Sequence, residues 1–234
     1  MSKIFVKNYN SPLDVVETEK AIKFIKGSFE TNLSRNLGLS RVSAPLFVEP
    51  ETGLNDNLSG TEKAVSFNLV DGKRLEIVQS LAKWKRNALY EYKLSGLYTD
   101  MNALRPNEKL DNLHSLYVDQ WDWEKVILKE ERNLDTLKAV VNKIYQTFLN
   151  VYSKLVDMKQ SLKQELAKEI VFISAQDLLN MYPNKTSKER EYLFVKEHKA
   201  VFVYGIGSKL SNGEAHDTRA ADYDDWNING DILL

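Results

Sequence analysis

One segment near the middle of the chain carries an unusual row of polar side chains. Residues 114–124 read as a β-strand, in which successive side chains point to opposite faces. Gln120, Asp122 and Glu124 therefore share one face. Such a row could line a polar pocket for a small zwitterion, or it could mark the place where the strand emerges into solvent. The spacing alone leaves both interpretations open.

Two groups of basic residues precede this strand. Arg105 closes the preceding predicted strand, and its guanidinium fork suits a phosphate or a carboxylate. A solvated turn residue is the alternative interpretation of Arg105. Lys83, Lys85 and Arg86 form a basic run on a predicted helix, which could offer a cation to an anionic substrate. A solvated helix face is the usual meaning of such a run, and we expect it for Lys83 and Arg86.

The end of the chain is rich in aspartate, with Asp217, Asp222, Asp224, Asp225 and Asp231. A carboxylate here could bind an ammonium group, or several could form an oxygen-rich site for Mg²⁺. A solvated tail is the alternative, and the spacing does not fit an EF-hand loop.

Composition excludes several classes of protein. The 234 residues contain 32 Lys and Arg against 33 Asp and Glu, which is a poor basis for nucleic-acid binding. There is no cysteine, so disulfides, thiolate metal sites and a cysteine-dependent glutaminase are excluded. The sequence has no P-loop and no HExxH motif. It also has neither a signal peptide nor an apolar run of membrane length, so we expect a cytoplasmic protein without membrane contacts.

Periodic patterns predict a mixture of helices and hairpins. Ser11 and Pro12 resemble an N-cap and first turn, followed by an apolar helical stripe that ends before Gly38. A strand over residues 40–48 is interrupted by Pro45, and a second predicted helix covers residues 80–92.

A long amphipathic helix is predicted over residues 134–162, and strands over 96–104, 169–174 and 200–206. The stretch that follows is expected to be irregular. Together the elements favour an α+β fold, with an antiparallel β-sheet flanked by helices, over a doubly wound sheet.

Several longer runs resemble known families. GLSRVSAP (residues 38–45) resembles motif 1 of the class II aminoacyl-tRNA synthetase fold, and the strands and loop around Arg105 and Glu108 resemble motif 2. More narrowly, five runs look like aspartate–ammonia ligase: DNLSGTEKAV (56–65), SLAKWKR (80–86), GLYTDMNALRP (96–106), HSLYVDQWDWE (114–124) and ADYDDW (221–226). They occur in order and are spread over most of the chain.

This resemblance implies a class II synthetase-like catalytic domain over residues 1–234 that makes asparagine from aspartate and ammonia. In the family, the aspartate side chain attacks the α-phosphate of Mg·ATP, and ammonia then displaces AMP from the β-aspartyl adenylate. A homodimer through the motif 1 region is also implied. Family members continue after the NGDIL run (229–233) with a segment that carries motif 3, which we expect this chain to lack. A non-catalytic relative that binds aspartate, asparagine or a partner protein is therefore the alternative function.

The resemblance also assigns the catalytic and nucleotide-binding roles. Arg105 would contact the α-phosphate, and Gln120 would hold the reacting carboxyl group. Asp56 would lie beside the β-carbon, where it orients ammonia or accepts its proton. Asp231 matches a family position next to the nucleotide and its Mg²⁺.

The remaining assignments concern the amino-acid substrate. Lys85 would pair with its α-carboxylate, and Ser80 would donate or accept a hydrogen bond nearby. Asp122 and Asp224 would receive its α-ammonium group. A zwitterion needs fixed charges of both signs, and this set provides them.

Overall fold

A computed structural model describes residues 8–58, 62–111, 114–163, 166–220 and 224–234. Its helices and strands, in chain order, are α1 (Val15–Leu37), β1 (Ser40–Arg41), β2 (Phe47–Val48), β3 (Ser66–Asn68), β4 (Arg74–Ile77), α2 (Ala82–Tyr92), β5 (Gly96–Leu104), β6 (Tyr117–Lys125), α3 (Leu134–Met158), β7 (Val171–Ser174), α4 (Ala175–Met181), α5 (Ser187–His198), β8 (Val201–Tyr204) and β9 (Gly230–Leu233). They form two compact units. One holds Gly38–Val126 with the described residues ahead of α1, and the other holds α1 with Ile127–Leu234.

Two sheets make up the first unit. β5 pairs antiparallel with β6 along its whole length, from Gly96 opposite Lys125 to Leu104 opposite Tyr117, and β1 joins β5 in parallel. In the second sheet β4 lies between β2 and β3 and is antiparallel to both. α2 packs against β5 and β6. The predicted strand over 96–104 is confirmed, and the long β5–β6 pair is the surface on which most candidate site residues stand.

The strand predicted at residues 114–124 is confirmed with later bounds. β6 begins at Tyr117 because the chain is still turning at His114. The backbone N–H of His114 donates to Asp111 Oδ1 at 2.8 Å, and its ring Nδ1 lies 2.9 Å from the same oxygen. A side-chain bond of this kind competes with strand pairing.

Pro45 divides the strand predicted over residues 40–48 into two. β1 belongs to the sheet of β5, whereas β2 belongs to the sheet of β4. A proline has no N–H to donate to a ladder, so a change of sheet at this position is favoured. The predicted hairpin at Asp71 and Gly72 is confirmed, with φ of 85° at Gly72.

The start predicted for α1 is wrong by three residues, since the helix begins at Val15 rather than Pro12. Leu13 N–H donates to Ser11 Oγ at 3.2 Å, and the hydroxyl donates back to Leu13 O at 2.7 Å. Ser11 therefore holds a local turn ahead of the helix instead of capping it.

Helices α1 and α3 pack together in the second unit. The rings of Phe29 and Phe148 lie 5.0 Å apart between centroids, and Asn36 Nδ2 donates to the buried Thr147 Oγ1 at 2.9 Å. Only the second half of the apolar stripe of α1 is buried, since Ile22 is 46% exposed. α3 ends at Met158, before the predicted 162. Among the described helices, none combines the length and apolar character that a membrane crossing requires.

The sheet of the second unit is mixed. β8 is parallel to β7 and antiparallel to β9. Val201 and Val203 point into a buried cluster with residues of α4 and α5, whereas Phe202 packs with Val141 and Tyr145 of α3. The period-two alternation of β8 thus places helices on both faces of this sheet.

The irregular ending expected from sequence is wrong for residues 230–233, which form β9. Asp231 lies opposite Val203, and Gly230 lies opposite Tyr204. A Cβ atom at Gly230 would lie 2.2 Å from the carbonyl oxygen of Val203, so only glycine fits at this position. The acidic composition gave no indication of this short strand, whose pairing with β8 depends on the close approach of Gly230 to Val203.

Candidate active site

Asp56 is fully buried and fixes the start of α2. Its Oδ2 accepts a hydrogen bond from Ala82 N at 2.5 Å, and its Oδ1 accepts one from Lys83 N at 3.2 Å. Leu81, the residue that precedes the helix, has no side-chain group to cap it. A carboxylate at this position satisfies two N–H groups that a helix leaves free and lies at the positive end of its dipole.

Asn55 clamps the chain between β4 and α2. Its Oδ1 accepts from Gln79 N at 2.9 Å, and its Nδ2 donates to Ile77 O at 3.2 Å. The backbone N–H of Asp56 donates to Ser80 O at 3.2 Å. Neighbouring residues of one loop therefore fix the position of half-buried Ser80 and the direction in which α2 leaves it.

Lys85 is a buried cation on the first turns of α2, with only 1% of its side chain exposed. Its Nζ forms an ion pair with Asp122 Oδ1, lies 3.9 Å from Glu124 Oε1 and donates to Trp123 O at 3.4 Å. A buried ammonium group needs such partners to offset its loss of hydration. The structure therefore brings together Lys85 and Asp122, which the resemblance assigned to opposite ends of a zwitterion.

The row of polar residues on β6 faces α2. Asp122 and Glu124 both reach the same Lys85 ammonium, so the predicted shared face is confirmed for these two residues. Val118, on the same face, packs against a buried cluster that includes Val78, and between them Gln120 is half-buried. The solvent-exposed alternative for this end of the strand is therefore wrong.

Glu124 lies in a low-dielectric setting. Burial raises the pKa of its carboxyl above the ordinary value, and the neighbouring Lys85 and Arg86 only partly oppose this effect. Arg86 Nε lies 3.6 Å from Glu124 Oε2. The basic run on α2 is therefore divided, because Lys85 is buried whereas the side chain of Arg86 is 48% exposed, as expected for a solvated face.

Arg105 stands at the end of β5 beside a small cavity. Its backbone N–H donates to Leu116 O at 2.9 Å, which continues the β5–β6 ladder, and Glu108 N–H donates to Arg105 O at 3.1 Å. The cavity has a volume of about 180 Å³. It is lined by Leu58, Glu62, Gln79, Arg105, Asn107 and Glu108. Arg105 is thus half-buried at the rim of a concave site rather than on a solvated turn.

Two of the site residues predicted from sequence carry a buried polar atom without a hydrogen-bond partner among the described residues. They are Gln120, through Oε1, and Arg105, through Nε. Buried polar atoms without partners are uncommon in native proteins and indicate a missing ligand or water. The geometry around Gln120 and Arg105 is therefore compatible with substrate-binding roles.

Asp231 lies in the second unit, on β9. Arg219 forms an ion pair with Asp231 and a second one with Asp217 at 3.0 Å. Burial raises the pKa of the Asp231 carboxyl above its ordinary value, against the lowering effect of Arg219. The carboxylate predicted to face the nucleotide is thus already held by an arginine.

Asp224 is half-buried in the same unit. The next residue, Asp225, pairs with Arg132 at 2.6 Å, which ties this part of the chain to the residues that precede α3. Asp222, another member of the acidic run, lies outside the described residues.

No group of three or more metal-binding side chains occurs in the described part of the chain. Among the described residues, Arg219 contacts the carboxylates of both Asp231 and Asp217, and a guanidinium between them disfavours a cation. Within the described ranges, side chains alone therefore do not supply a Mg²⁺ site.

Sequence reasoning did not find Asn55 and Gln79 in the first unit or Arg219 in the second. Asn55 and Arg219 act on partners that are distant in sequence or on another element, and no local pattern marks such contacts. Gln79 immediately precedes the run that begins at Ser80, which is the one signal that could have drawn attention to it.

Comparison with known proteins identifies the family. Residues 16–234 match the family model for aspartate–ammonia ligase. An aspartate–ammonia ligase of Fusobacterium nucleatum is 57% identical over 229 residues, which cover 97% of this chain and 70% of that protein. One from Clostridium perfringens is 53% identical and covers 100% of this chain and 71% of that protein. The chain thus spans about 70% of the length of these relatives.

Solved structures identify the fold. The asparaginyl-tRNA synthetase of Pyrococcus horikoshii, complexed with asparaginyl-adenylate, matches with a TM-score of 0.58 at 16% identity, over 80% of this chain and 45% of that one. The Entamoeba histolytica asparaginyl-tRNA synthetase, also with asparaginyl-adenylate, matches with a TM-score of 0.56 at 10% identity, over 84% and 48%. The expected class II synthetase-like α+β fold is therefore confirmed. With its matching family model and its relatives above half identity, the chain belongs to the aspartate–ammonia ligase family.

Proposed function

We propose that the chain converts L-aspartate and ammonia to L-asparagine through a β-aspartyl adenylate, with release of AMP and pyrophosphate. Family membership supports the overall reaction. A carboxylate is a poor electrophile, so it needs activation before ammonia can attack. Adenylation provides a good leaving group, and the enzyme contributes positioning and charge stabilisation.

The buried ion pair of Lys85 and Asp122 is the observation that carries this proposal. It presents one cation and one anion side by side, in a setting where only 1% of the lysine side chain meets solvent. The α-carboxylate and α-ammonium of an amino acid have the complementary arrangement. We propose that the substrate pairs with Lys85 through its α-carboxylate and with Asp122 through its α-ammonium, with Ser80 as a nearby hydrogen-bonding group.

Gln120 and Arg105 are proposed to act on the reacting groups. The Oε1 of Gln120 has no protein partner in the described part of the chain, so the amide is not committed through that atom. We propose that its Nε2 donates to the side-chain carboxylate of aspartate. Arg105 would hold the α-phosphate, where a guanidinium stabilises the charge that develops as pyrophosphate leaves. The Mg²⁺ enters as part of Mg·ATP, held mainly by phosphate oxygens, with Asp231 as the proposed neighbouring carboxylate.

We propose that Asp56 orients ammonia or accepts its proton, in addition to capping α2. An ionised carboxylate has about four lone-pair positions. The two N–H groups of α2 use two of them, which leaves acceptor capacity for a nitrogen nucleophile or its proton. Asp224 is proposed as a second acceptor for the α-ammonium group.

The proposal also covers the domain organisation, the oligomeric state and the cellular compartment. Residues 1–234 are proposed to act as one class II synthetase-like catalytic domain, in a homodimer that forms through the motif 1 region at residues 38–45. We propose the cytoplasm as its compartment, since ATP and aspartate are available there. With a formal net charge of -1, no nucleic-acid partner is proposed.

The test is a complete reaction with the purified chain, aspartate, ammonium and Mg·ATP. We expect asparagine, AMP and pyrophosphate in equal amounts, and we expect the Arg105→Ala variant to form almost no adenylate. Binding of aspartate without any of the three products would support a non-catalytic relative instead. Near-normal turnover of Arg105→Ala would remove Arg105 from the mechanism.

A further inference from the structure

Gln79 is a buried amide whose side chain has no evident structural purpose. The residue is only 1% exposed, and among the described residues neither its Oε1 nor its Nε2 has a hydrogen-bond partner. Its backbone N–H, by contrast, is held by Asn55. An amide that loses its bonds to water without replacement is costly to bury, so such a group requires an explanation.

Gln79 lines the same cavity of about 180 Å³ as Arg105. The Nε of Arg105 is also buried without a partner in the part of the chain that the structure describes. Two residues that line one small cavity therefore carry three unpartnered polar atoms. The volume is many times the roughly 10–15 Å³ of probe space that one water molecule needs, so the cavity has room for a phosphoryl group.

The donors and acceptors determine what fits. Gln79 Nε2 and Arg105 Nε are donors, and they suit an oxygen that carries negative charge. Gln79 Oε1 is an acceptor and can receive a hydrogen bond from the same guanidinium. An anionic oxygen bound between the two side chains would satisfy the donors, and on binding the Gln79 carbonyl would accept a hydrogen bond from the guanidinium of Arg105.

We propose that Gln79 is a further substrate-contacting residue, whose amide binds an oxygen of the same α-phosphoryl group as Arg105. This inference rests on the proposed function, because that function supplies a phosphoryl group at Arg105. It adds a neutral donor to the site, which stabilises the phosphoryl oxygen without adding a charge. Gln79 also carries its unpartnered amide at a cost to the stability of the ligand-free protein.

The experiment compares the full chain with Gln79→Met, which keeps similar length but removes both polar atoms. Calorimetry measures the Kd of AMP, of inorganic phosphate and of aspartate, and thermal unfolding gives the Tm without ligand. We expect AMP to bind Gln79→Met roughly 10- to 100-fold more weakly. We expect aspartate to bind within about twofold of the parent, and the ligand-free Tm to stay equal or rise, since a buried unpartnered amide has been removed. Gln146→Met, an exposed glutamine on α3, is the control and should change none of these values.

Three results would overturn the inference. One is an unchanged Kd for AMP in Gln79→Met. Another is a lower Tm with equal weakening of AMP and aspartate, which would indicate a purely structural role. The third is a Gln79-dependent Kd for inorganic phosphate with no dependence for AMP, which would indicate a simple anion site rather than a nucleotide contact.

Assays of asparagine formation on the same proteins separate this inference from the proposed function. If the parent makes no asparagine but still binds AMP more tightly than Gln79→Met does, the ligase proposal fails and the role of Gln79 stands. If the parent makes asparagine and Gln79→Met keeps the same KM for ATP and Kd for AMP, the ligase proposal stands and the role of Gln79 fails.

Discussion

The ammonium group of Lys85 and the carboxylate of Asp122 form a buried ion pair between α2 and β6. Neither residue could hold this position without the elements that present them. Asp56 and Asn55 fix the start of α2, and the antiparallel β5–β6 register fixes Asp122 opposite Thr99. The pair is thus preformed, which reduces the reorganisation needed when a zwitterion binds.

Replacing Lys85 by methionine removes the charge and keeps most of the volume. We expect the free energy of unfolding to fall by about 3 kcal/mol, because Asp122 and Glu124 lose their buried partner. We also expect kcat/KM for aspartate to fall roughly 100-fold or more, since a charge-assisted bond to the substrate is lost. Urea unfolding and steady-state kinetics measure the two effects.

A matched control is Lys73→Met, which removes a lysine that pairs with Glu49 on the surface. Exposed pairs contribute little, so stability and kinetics should both stay close to the parent. Equal effects of the two substitutions would contradict the special role given to Lys85.

The cap that Asp56 provides for α2 predicts a graded loss of stability. Asp56→Ala leaves two N–H groups of α2 without their acceptors, and we expect a loss of about 2 kcal/mol in the free energy of unfolding. Asp56→Asn keeps one acceptor oxygen and should lose roughly half as much. Asp71→Asn, in an exposed turn, serves as the control. An Asp56→Ala protein as stable as the parent would show that Asp56 acts in the chemistry alone.

The raised pKa of Glu124 predicts how the free energy of unfolding depends on pH. Burial raises its pKa in the folded protein, so between about pH 4.5 and that raised value the folded state binds a proton that the unfolded chain has released. The stabilising effect of binding this proton is fully present below about pH 4.5, and it is lost as pH rises through the pKa of Glu124 in the folded protein. Glu124→Gln cannot titrate, so its free energy of unfolding should rise relative to the parent as pH increases from 4 towards neutrality.

Glu189 gives the opposite case. The backbone N–H of Thr186 lowers the pKa of its carboxyl, so its stabilising effect is present above its ordinary value and is lost as pH falls. Relative to the parent, Glu189→Gln should therefore lose stability as pH rises through about 4.5. Urea unfolding at several pH values measures both effects. If the free energies of unfolding of both variants, relative to the parent, changed with pH in the same direction, the causes assigned to the two pKa shifts would be wrong.

Gly230 should tolerate no side chain. Its Cβ would lie 2.2 Å from Val203 O, so Gly230→Ala must displace β9 from β8, and we expect a loss of more than about 2 kcal/mol in the free energy of unfolding. Gly27→Ala, in the middle of α1 with open space around it, should instead stabilise the protein by about 1 kcal/mol. Thermal unfolding of both variants tests the opposite signs, and an unchanged Tm for Gly230→Ala would contradict the placement of β9.

The sequence predicted the features that depend on local periodicity. The alternation in residues 114–124 placed Asp122 and Glu124 on one face, and the Asp71–Gly72 pair predicted its hairpin. Family resemblance assigned Lys85 and Asp122 to opposite ends of one substrate. Their ion pair was not predicted, because periodicity cannot identify which helix covers which strand.

Long-range contacts account for what was missed. The cap on α2 comes from a residue 26 positions away, outside the reach of local capping rules. β9 was hidden in an acidic tail because its formation depends on β8 and on the absence of a side chain at Gly230. The unpartnered amide of Gln79 could be recognised only once its surroundings were known. The individual roles proposed for the site residues stay predictions.

The most direct test of the adenylate mechanism follows an oxygen atom. Aspartate labelled with ¹⁸O in its side-chain carboxylate is converted with ammonium and Mg·ATP, and the AMP is analysed by mass spectrometry. If the carboxylate attacks the α-phosphate and ammonia then breaks the C–O bond, each AMP must carry one ¹⁸O. Asparagine formed together with unlabelled AMP, or with ADP instead of AMP, would contradict the account.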